Sequence, residues 1–217
     1  MKMPNCSDQG DYQPCPAGSH AAIASRLIDL GTQETHFQGK VKHQRKVYIE
    51  FAIPAERTED DQPMSVGNRY TFSSSPKSTL RQHLEAWRGK RFGDDEIAGF
   101  DLASILGKPC LLNVTHSTRE DRTYADIASI SPLPKGMPAP SLAEPTTYLS
   151  LDAAEFDRGT FESLTDRLRE IIAASPEYRQ LQSPPGQQQI VPPTVPPTAP
   201  PATPGAALAD AEDDFTF

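Results

Sequence analysis

Hydrophobic and polar residues alternate most regularly between residues 40 and 53. Apolar side chains occupy every second position towards the end of this segment: Val47, Ile49, Phe51 and Ile53. A period of two is typical of a β-strand with one buried face. We expect the strand Lys40–Ile53 to end before Pro54, because proline has no N–H to donate to a neighbouring strand.

Four shorter segments have the composition of strands, and one has the pattern of a helix. The strands are predicted at His20–Leu30, Asn68–Ser73, Cys110–His116 and Tyr124–Ile130. The helix is predicted over Ser78–Trp87, where Leu80, Leu84 and Trp87 recur on one face. Five strands with a helix between the third and the fourth predict a mainly β fold, a five-stranded OB-fold-like barrel with one or two short helices.

Two segments that follow the predicted barrel have different patterns. Residues 160–174 form an amphipathic stripe, which predicts a helix that packs either on the barrel or on a partner. Residues 182–209 are rich in proline and contain no charged residue, which predicts a disordered linker. The predicted organisation is a flexible lead-in (1–16), a barrel domain (17–135), a connecting segment (136–181), the linker (182–209) and a terminal tip (210–217).

The net charge of −8 is unevenly distributed. Residues 1–135 contain 17 Lys and Arg against 17 Asp and Glu, whereas residues 136–217 contain 4 against 12. A charge asymmetry of this kind is typical of a nucleic-acid-binding body with an acidic tail.

One face of the predicted strand Lys40–Ile53 is a candidate surface for single-stranded DNA. If Val47 and its alternating partners face the core, the opposite face carries Lys40, Lys42, Lys46 and Tyr48, with Arg45 beside them. Cations track phosphates and aromatic rings stack on bases, so this combination suits single-strand binding. A solvated edge strand protected by lysines has the same composition, and the sequence leaves both interpretations open.

Other aromatic and cationic residues extend the candidate surface. Phe37, predicted in a polar loop, is either a stacking residue or a lid on the core. Trp87 is interpreted as a core residue, and the cations after it either contact DNA or complement the helix dipole. The further candidates for DNA contact are Arg26, Arg69, Arg88, Lys90, Arg91 and Tyr124.

The last residues combine carboxylates with aromatic rings. We interpret Asp213, Asp214, Phe215 and Phe217 as a tethered peptide that docks into an apolar pocket with a basic rim on a partner protein. The alternative is an acidic end that only improves solubility.

Catalytic and metal-binding patterns are lacking in the sequence. It has no phosphate-binding glycine loop and no nucleophile elbow, and its histidines lack paired ligand spacing. Asp94, Asp95 and Glu96 are more typical of a solvated loop than of a metal site. We therefore expect a non-enzymatic protein without cofactor or metal.

The cysteine pattern and hydropathy bear on the cellular compartment. Three cysteines without regular spacing argue against a disulfide framework. We find no signal-peptide pattern and no apolar run of about 18 residues. These features predict a cytoplasmic protein that does not bind membranes.

Several short motifs add a family resemblance. The segments 16–20, 29–33, 106–111 and 124–130 read PAGSH, DLGTQ, LGKPCL and YADIASI. Together they resemble a family of phage-encoded proteins related to single-stranded DNA-binding proteins. The resemblance implies an OB-fold and sequence-tolerant single-strand binding during phage replication or recombination, in the host cytoplasm.

The tip separately resembles the acidic C-terminus of bacterial single-stranded DNA-binding proteins. Asp213, Asp214 and Phe217 match that pattern, whereas Phe215–Thr216 stands where Ile-Pro is typical. The resemblance implies recruitment of replication and repair enzymes, and a tail that can compete with DNA for the basic groove. The leading hypothesis is thus single-strand binding with partner recruitment. The alternatives are a non-catalytic adaptor or an accessory subunit of a replication or recombination complex.

Overall fold

The first four fifths of the chain fold around one curved β-sheet. The computed structural model describes residues 13–37, 39–119 and 122–182. The predicted linker and tip, and most of the predicted lead-in, lie outside these ranges. The elements in chain order are β1 (Gly18–Phe37), β2 (Lys40–Arg57), β3 (Pro63–Thr71), α1 (Thr79–Arg88), α2 (Asp94–Ala98), a short 3-10 helix (Leu102–Ile105), β4 (Pro109–Arg119), β5 (Arg122–Ser131), β6 (Thr147–Leu149), α3 (Arg158–Ser163), α4 (Asp166–Ala173) and α5 (Pro176–Gln182).

The sheet has the strand order β3-β2-β1-β4-β5, and all four ladders along this path are antiparallel. Strand β6 adds to β1 in parallel. The terminal strands β3 and β5 approach each other, and α1 contacts both of them. The sheet therefore curls into an unclosed barrel with its helix between β3 and β4, which confirms the predicted mainly β, OB-like fold.

Strand β1 is long and pairs with three strands, β2, β4 and β6. Its register shifts between Ala24 and Arg26 and again between Asp29 and Gly31. Bulges of this kind increase the local twist and allow a strand to curve. The predicted end of the strand at Leu30 is wrong, because the strand continues to Phe37. Gly31 adopts φ 69° and lies at the second register shift within the strand. Phe37 is consequently the last residue of a strand and not a loop residue.

The barrel interior confirms the alternation seen in the sequence. Val47, Ile49, Phe51 and Ile53 are all buried in one cluster. Trp87 of α1 packs its ring edge against Phe51 at a centroid distance of 5.6 Å, and its Nε1 donates to the carbonyl oxygen of Pro109. The interpretation of Trp87 as a core residue is therefore confirmed.

Three strand boundaries differ from the predictions. Strand β2 continues through Pro54 to Arg57, because its ladder with β3 is irregular between Ile53 and Arg57 and needs no donor at proline. Strand β3 begins at Pro63 and not at Asn68. The β4–β5 hairpin remains paired as far as Arg119 and Arg122, so both strands extend beyond the predicted bounds at His116 and Tyr124.

A second apolar cluster covers the outer face of β1. Ile28 and Leu30 pack there against Leu149, Leu168 and Ile172. The predicted single helix over 160–174 is two helices, α3 and α4, because the backbone is extended at the buried residue between them, Leu164. The sequence left its packing partner open, and the structure packs this segment on the barrel.

Helix α5 is fixed to β1 by polar contacts. The carboxylate of Glu177 accepts from the amide of Thr32 at 2.8 Å and from its hydroxyl at 2.6 Å. A Cβ added to Gly31 would lie 2.5 Å from the Cβ of Ser175. The docking of α5 therefore requires glycine at position 31. Its φ of 69° is rarely adopted by other residues, and a side chain there would clash with Ser175.

Candidate nucleic-acid interface

The ends of β1 and β2 form a two-stranded ribbon that extends beyond β3. The β2–β3 ladder begins only at Lys46, opposite Thr71, and the amide of Phe72 donates to the carbonyl oxygen of Arg45, so residues 40–44 pair with β1 alone. Lys40 and Lys42 are exposed on this ribbon and share a face with Lys46. The predicted row of lysines is thus present on one side of the ribbon.

Lys46 differs from Lys40 and Lys42, which lie nearer the free end of the ribbon. Its ammonium group donates to the side-chain oxygens of Gln44 at 2.9 Å and Thr71 at 2.7 Å. Partial burial lowers the pKa of Lys46. This lysine joins the ribbon to β3, whereas Lys40 and Lys42 lie where a phosphate chain has access.

Tyr48 packs between the barrel and the C-terminal helices. Its ring lies over Gly67 of β3 and contacts the second apolar cluster. Its hydroxyl donates to Oε2 of Glu50 at 3.0 Å. Much of this ring is therefore engaged within the protein, and stacking of a base on it stays a prediction.

Two of the predicted arginines are held by carboxylates. Arg26 forms an ion pair with Glu50 at 3.6 Å between Nε and Oε1. Arg45 pairs with Asp29, and this hydrogen bond raises the pKa of Arg45. Arg45 also lies on the same side of β2 as Val47, so it does not belong to the row of Lys40 and Lys42.

Arg69 of β3 and Arg167 of α4 lie near enough for their charges to interact. Arg69 is exposed directly opposite Tyr48 in the β2–β3 ladder. Burial of part of its side chain lowers the pKa of Arg69, and the positive charge of Arg167 lowers it further. In the ranges that the structure describes, neither guanidinium forms an ion pair. Two adjacent cations beside an aromatic ring suit an anionic ligand.

Sequence reasoning missed Arg167 as a candidate. In the sequence it is only one polar residue of an amphipathic helix. In the structure, Tyr48 packs against the cluster that contains the buried face of α4, and the charge of Arg167 acts on Arg69. The amphipathic pattern predicted the buried face, Leu168 and Ile172, but not the element against which it packs.

The basic residues at the end of α1 and directly after it lie at a different place on the barrel, since α1 contacts β3 and β5. Arg88 forms an ion pair with Glu96, and its guanidinium lies 4.2 Å from the ring centre of Phe92. Lys90 lies 3.8 Å from the same carboxylate, and Arg91 is exposed. Arg88, Lys90 and Arg91 therefore do not join the ribbon lysines, and Glu96 partly neutralises them.

The β4–β5 hairpin carries a second exposed basic group. The guanidinium of Arg119 lies 5.9 Å from the ring centre of Tyr124, and its Nη2 is 3.1 Å from Oδ2 of Asp126. Arg122 is exposed directly across the ladder from Arg119. The sequence identified Tyr124 but not the two arginines, because their proximity depends on strand register.

Some candidate side chains lie outside the residues that the structure describes. The side chain of Phe37 does, and so do the tip residues Asp213, Asp214, Phe215 and Phe217. Their predicted roles stay predictions.

The structure also bears on chemistry other than nucleic-acid binding. Burial raises the pKa of Cys15 to about 11 and of Cys110 to about 12, which makes both thiols poor nucleophiles. Within 13–37, 39–119 and 122–182, no three His, Cys, Asp or Glu side chains converge on a metal site. Glu96 of the acidic run accepts from Arg88, which holds the pKa of that carboxyl at about 2.

Across the described helices, none combines the length and apolar character needed to cross a bilayer.

No protein-family model matches this chain, and no curated protein matches it.

Proposed function

We propose that this protein binds single-stranded DNA without sequence preference and without catalysis. The observation that carries the proposal is the coincidence of an OB-like barrel with exposed cations on the parts that OB-folds use. Those parts are the face of strands 2 and 3 and the β1–β2 and β4–β5 connections. The exposed cations on them are Lys40, Lys42, Arg69, Arg119, Arg122 and the neighbouring Arg167 of α4.

The mechanism is reversible electrostatic and stacking recognition. Lysine and arginine side chains neutralise phosphates and release counterions, which makes the affinity depend on salt. Aromatic rings near the cations stack on bases of any identity. Tyr124, Phe37 and the accessible edge of Tyr48 are the proposed stacking residues.

The proposal extends to biological context through the resemblance of the sequence motifs. It places the protein in DNA replication or recombination of a phage, in the host cytoplasm. The acidic tip with Phe217 would recruit partner proteins through the predicted linker. This part of the proposal depends on residues beyond the described ranges.

The test is fluorescence anisotropy of a labelled oligo-dT with the full chain at low and high salt. We expect tight binding at low salt and a linear decrease of log K with log salt concentration. A control with duplex DNA of the same length should bind more weakly. Absence of oligo-dT binding at low salt would reject the proposal.

A specific observation favours a second candidate, a non-catalytic adaptor. Residues 1–135 carry equal numbers of cationic and anionic side chains, and many of the cations form ion pairs. An adaptor would leave a single strand unprotected from nuclease digestion, whereas a strand-binding protein protects it.

A further inference from the structure

A cavity of about 240 Å³ opens at the end of the barrel from which the ribbon extends. Its floor consists of the buried side chains Leu27, Val47 and Leu149. Its mouth carries Phe72, which directly follows β3, and Tyr148 of β6. The cavity is smaller than the roughly 300–1,000 Å³ pockets that enclose drug-sized ligands, so it suits a single side chain or ring.

The two rings at the mouth are unusually exposed. Phe72 is 50% exposed and Tyr148 is 41% exposed. Both belong to the small set of large apolar side chains that the described part of the chain leaves in solvent. Exposed aromatic residues beside a concavity are typical of binding sites, because they provide a large contact area with few rotatable bonds.

The polar groups of this cleft make its rim acidic. Asp101 lines the cavity, and Glu155 accepts from the hydroxyl of Tyr148 at 3.1 Å. The only cation of the lining, Arg45, is already paired with Asp29. Glu177 and Asp152 also lie near enough to Arg45 for their charges to raise its pKa, after the larger effect of Asp29.

The charge of the rim distinguishes the cleft from the cationic ribbon. Uncompensated carboxylates repel phosphates and attract lysine or arginine side chains. Lys40 and Lys42 lie on the face of β2 opposite to Arg45, so they point away from the cavity. One barrel therefore presents an acidic apolar cleft and a cationic surface on different sides.

We infer that this cleft docks a segment of a partner protein that combines one aromatic or aliphatic anchor with flanking basic residues. The anchor enters the cavity between Phe72 and Tyr148, and the basic residues meet the carboxylates of Asp101, Asp152 and Glu155. This site is separate from the proposed DNA surface and from the tip, and it does not depend on either. A partner bound there leaves the ribbon lysines accessible.

The test is an NMR titration of the ¹⁵N-labelled full chain with two blocked tetrapeptides. One probe is acetyl-Lys-Arg-Phe-Lys-amide, and its matched control is acetyl-Glu-Glu-Phe-Glu-amide. We expect the basic probe to shift the amide signals of Phe72, Asp101 and Ser150 in fast exchange. The acidic control should bind at least about tenfold more weakly, which corresponds to about 1.4 kcal/mol.

Three variants sharpen the test. Phe72→Ala should weaken binding of the basic probe about tenfold, because it removes one wall of the cavity. Asp101→Asn should weaken binding of the basic probe and reduce the difference in affinity between the two probes. Asparagine can still cap the 3-10 helix. Met137→Ala is the matched control, since Met137 is 42% exposed but does not line the cavity.

Three results would overturn the inference. Equal affinity for the two probes would reject the charge complementarity, and no shift at millimolar concentration would reject docking. If oligo-dT shifts the same signals and Phe72→Ala weakens that binding, the cleft belongs to the strand-binding surface instead. Normal binding of oligo-dT without any effect of the tetrapeptides would reject this inference alone and leave the proposed function intact.

Discussion

The ring of Tyr48 occupies the space that a side chain at Gly67 would fill. A Cβ added to Gly67 would lie 2.0 Å from the hydroxyl oxygen of Tyr48 and 2.3 Å from Cζ. Tyr48 and Gly67 are diagonal neighbours on β2 and β3, and an aromatic ring that covers a glycine in this way stabilises a sheet. The same ring contacts the C-terminal helices, so this pair connects the barrel to the second apolar cluster.

Substitution of Gly67 should disturb this contact. We expect Gly67→Ala to lower the free energy of unfolding by about 1–3 kcal/mol, because the tyrosine ring must move out of its position. The measurement is urea denaturation followed by circular dichroism. Gly93→Ala is the control, since a Cβ there meets open space; equal losses in the two variants would contradict the prediction.

Glu177 should make the docking of α5 dependent on pH. Burial alone would raise its pKa, but hydrogen bonds from the hydroxyl and amide of Thr32, with the charge of Arg45, lower it overall. A lowered folded-state pKa stabilises the fold above the ordinary glutamate value, and this contribution is lost as the pH falls through the lowered value.

The corresponding variant is Glu177→Gln. At neutral pH we expect it to lower the free energy of unfolding by about 1–2 kcal/mol, since it weakens hydrogen bonds to a charged group. The difference from wild type should shrink as the pH falls from about 7 to about 3, across the ordinary glutamate pKa of about 4.3. Glu162→Gln on the exposed side of α3 is the control. A difference that does not change with pH would show that the charge of Glu177 is unimportant.

Arg167 should contribute to the binding of single-stranded DNA, although it lies outside the barrel strands. If it contacts one phosphate, Arg167→Gln should reduce the slope of log K against log salt by about 0.7. Anisotropy with oligo-dT over a salt series measures this slope. Arg158→Gln in α3 removes an equal charge and should leave it unchanged. An unaltered slope in Arg167→Gln would remove α4 from the DNA surface.

Tyr124 should stack on a base next to Arg119. We expect Tyr124→Ala to weaken oligo-dT binding by about 1–3 kcal/mol. Tyr148→Ala is the matched control, because Tyr148 is an exposed tyrosine of the acidic cleft and should not contact DNA. Equal affinities of wild type and Tyr124→Ala would exclude stacking on this ring. A loss in Tyr148→Ala would instead bring the cleft into the DNA surface.

The sequence by itself determined the fold class and the core strand, because alternation over Val47–Ile53 is a local consequence of strand geometry. It also determined the buried face of the C-terminal helices and the core role of Trp87. Its errors lay at the bounds of elements: the strand ends, and the single helix over 160–174 that is two helices. Proline and glycine indicated breaks at Pro54 and Gly31, where the tertiary structure accommodates them as irregularities within longer strands.

Only the tertiary structure decided which charges act together. Ion pairs such as Arg26–Glu50 and Arg45–Asp29 join residues that are 24 and 16 positions apart, and sequence spacing gives no sign of them. The proximity of the charges of Arg69 and Arg167, and the acidic cleft around Phe72 and Tyr148, depend on how β6 and α4 pack against the barrel. Periodicity shows which face of an element is buried, but the neighbour of that face is fixed by packing over long range, and that packing sets the local charge.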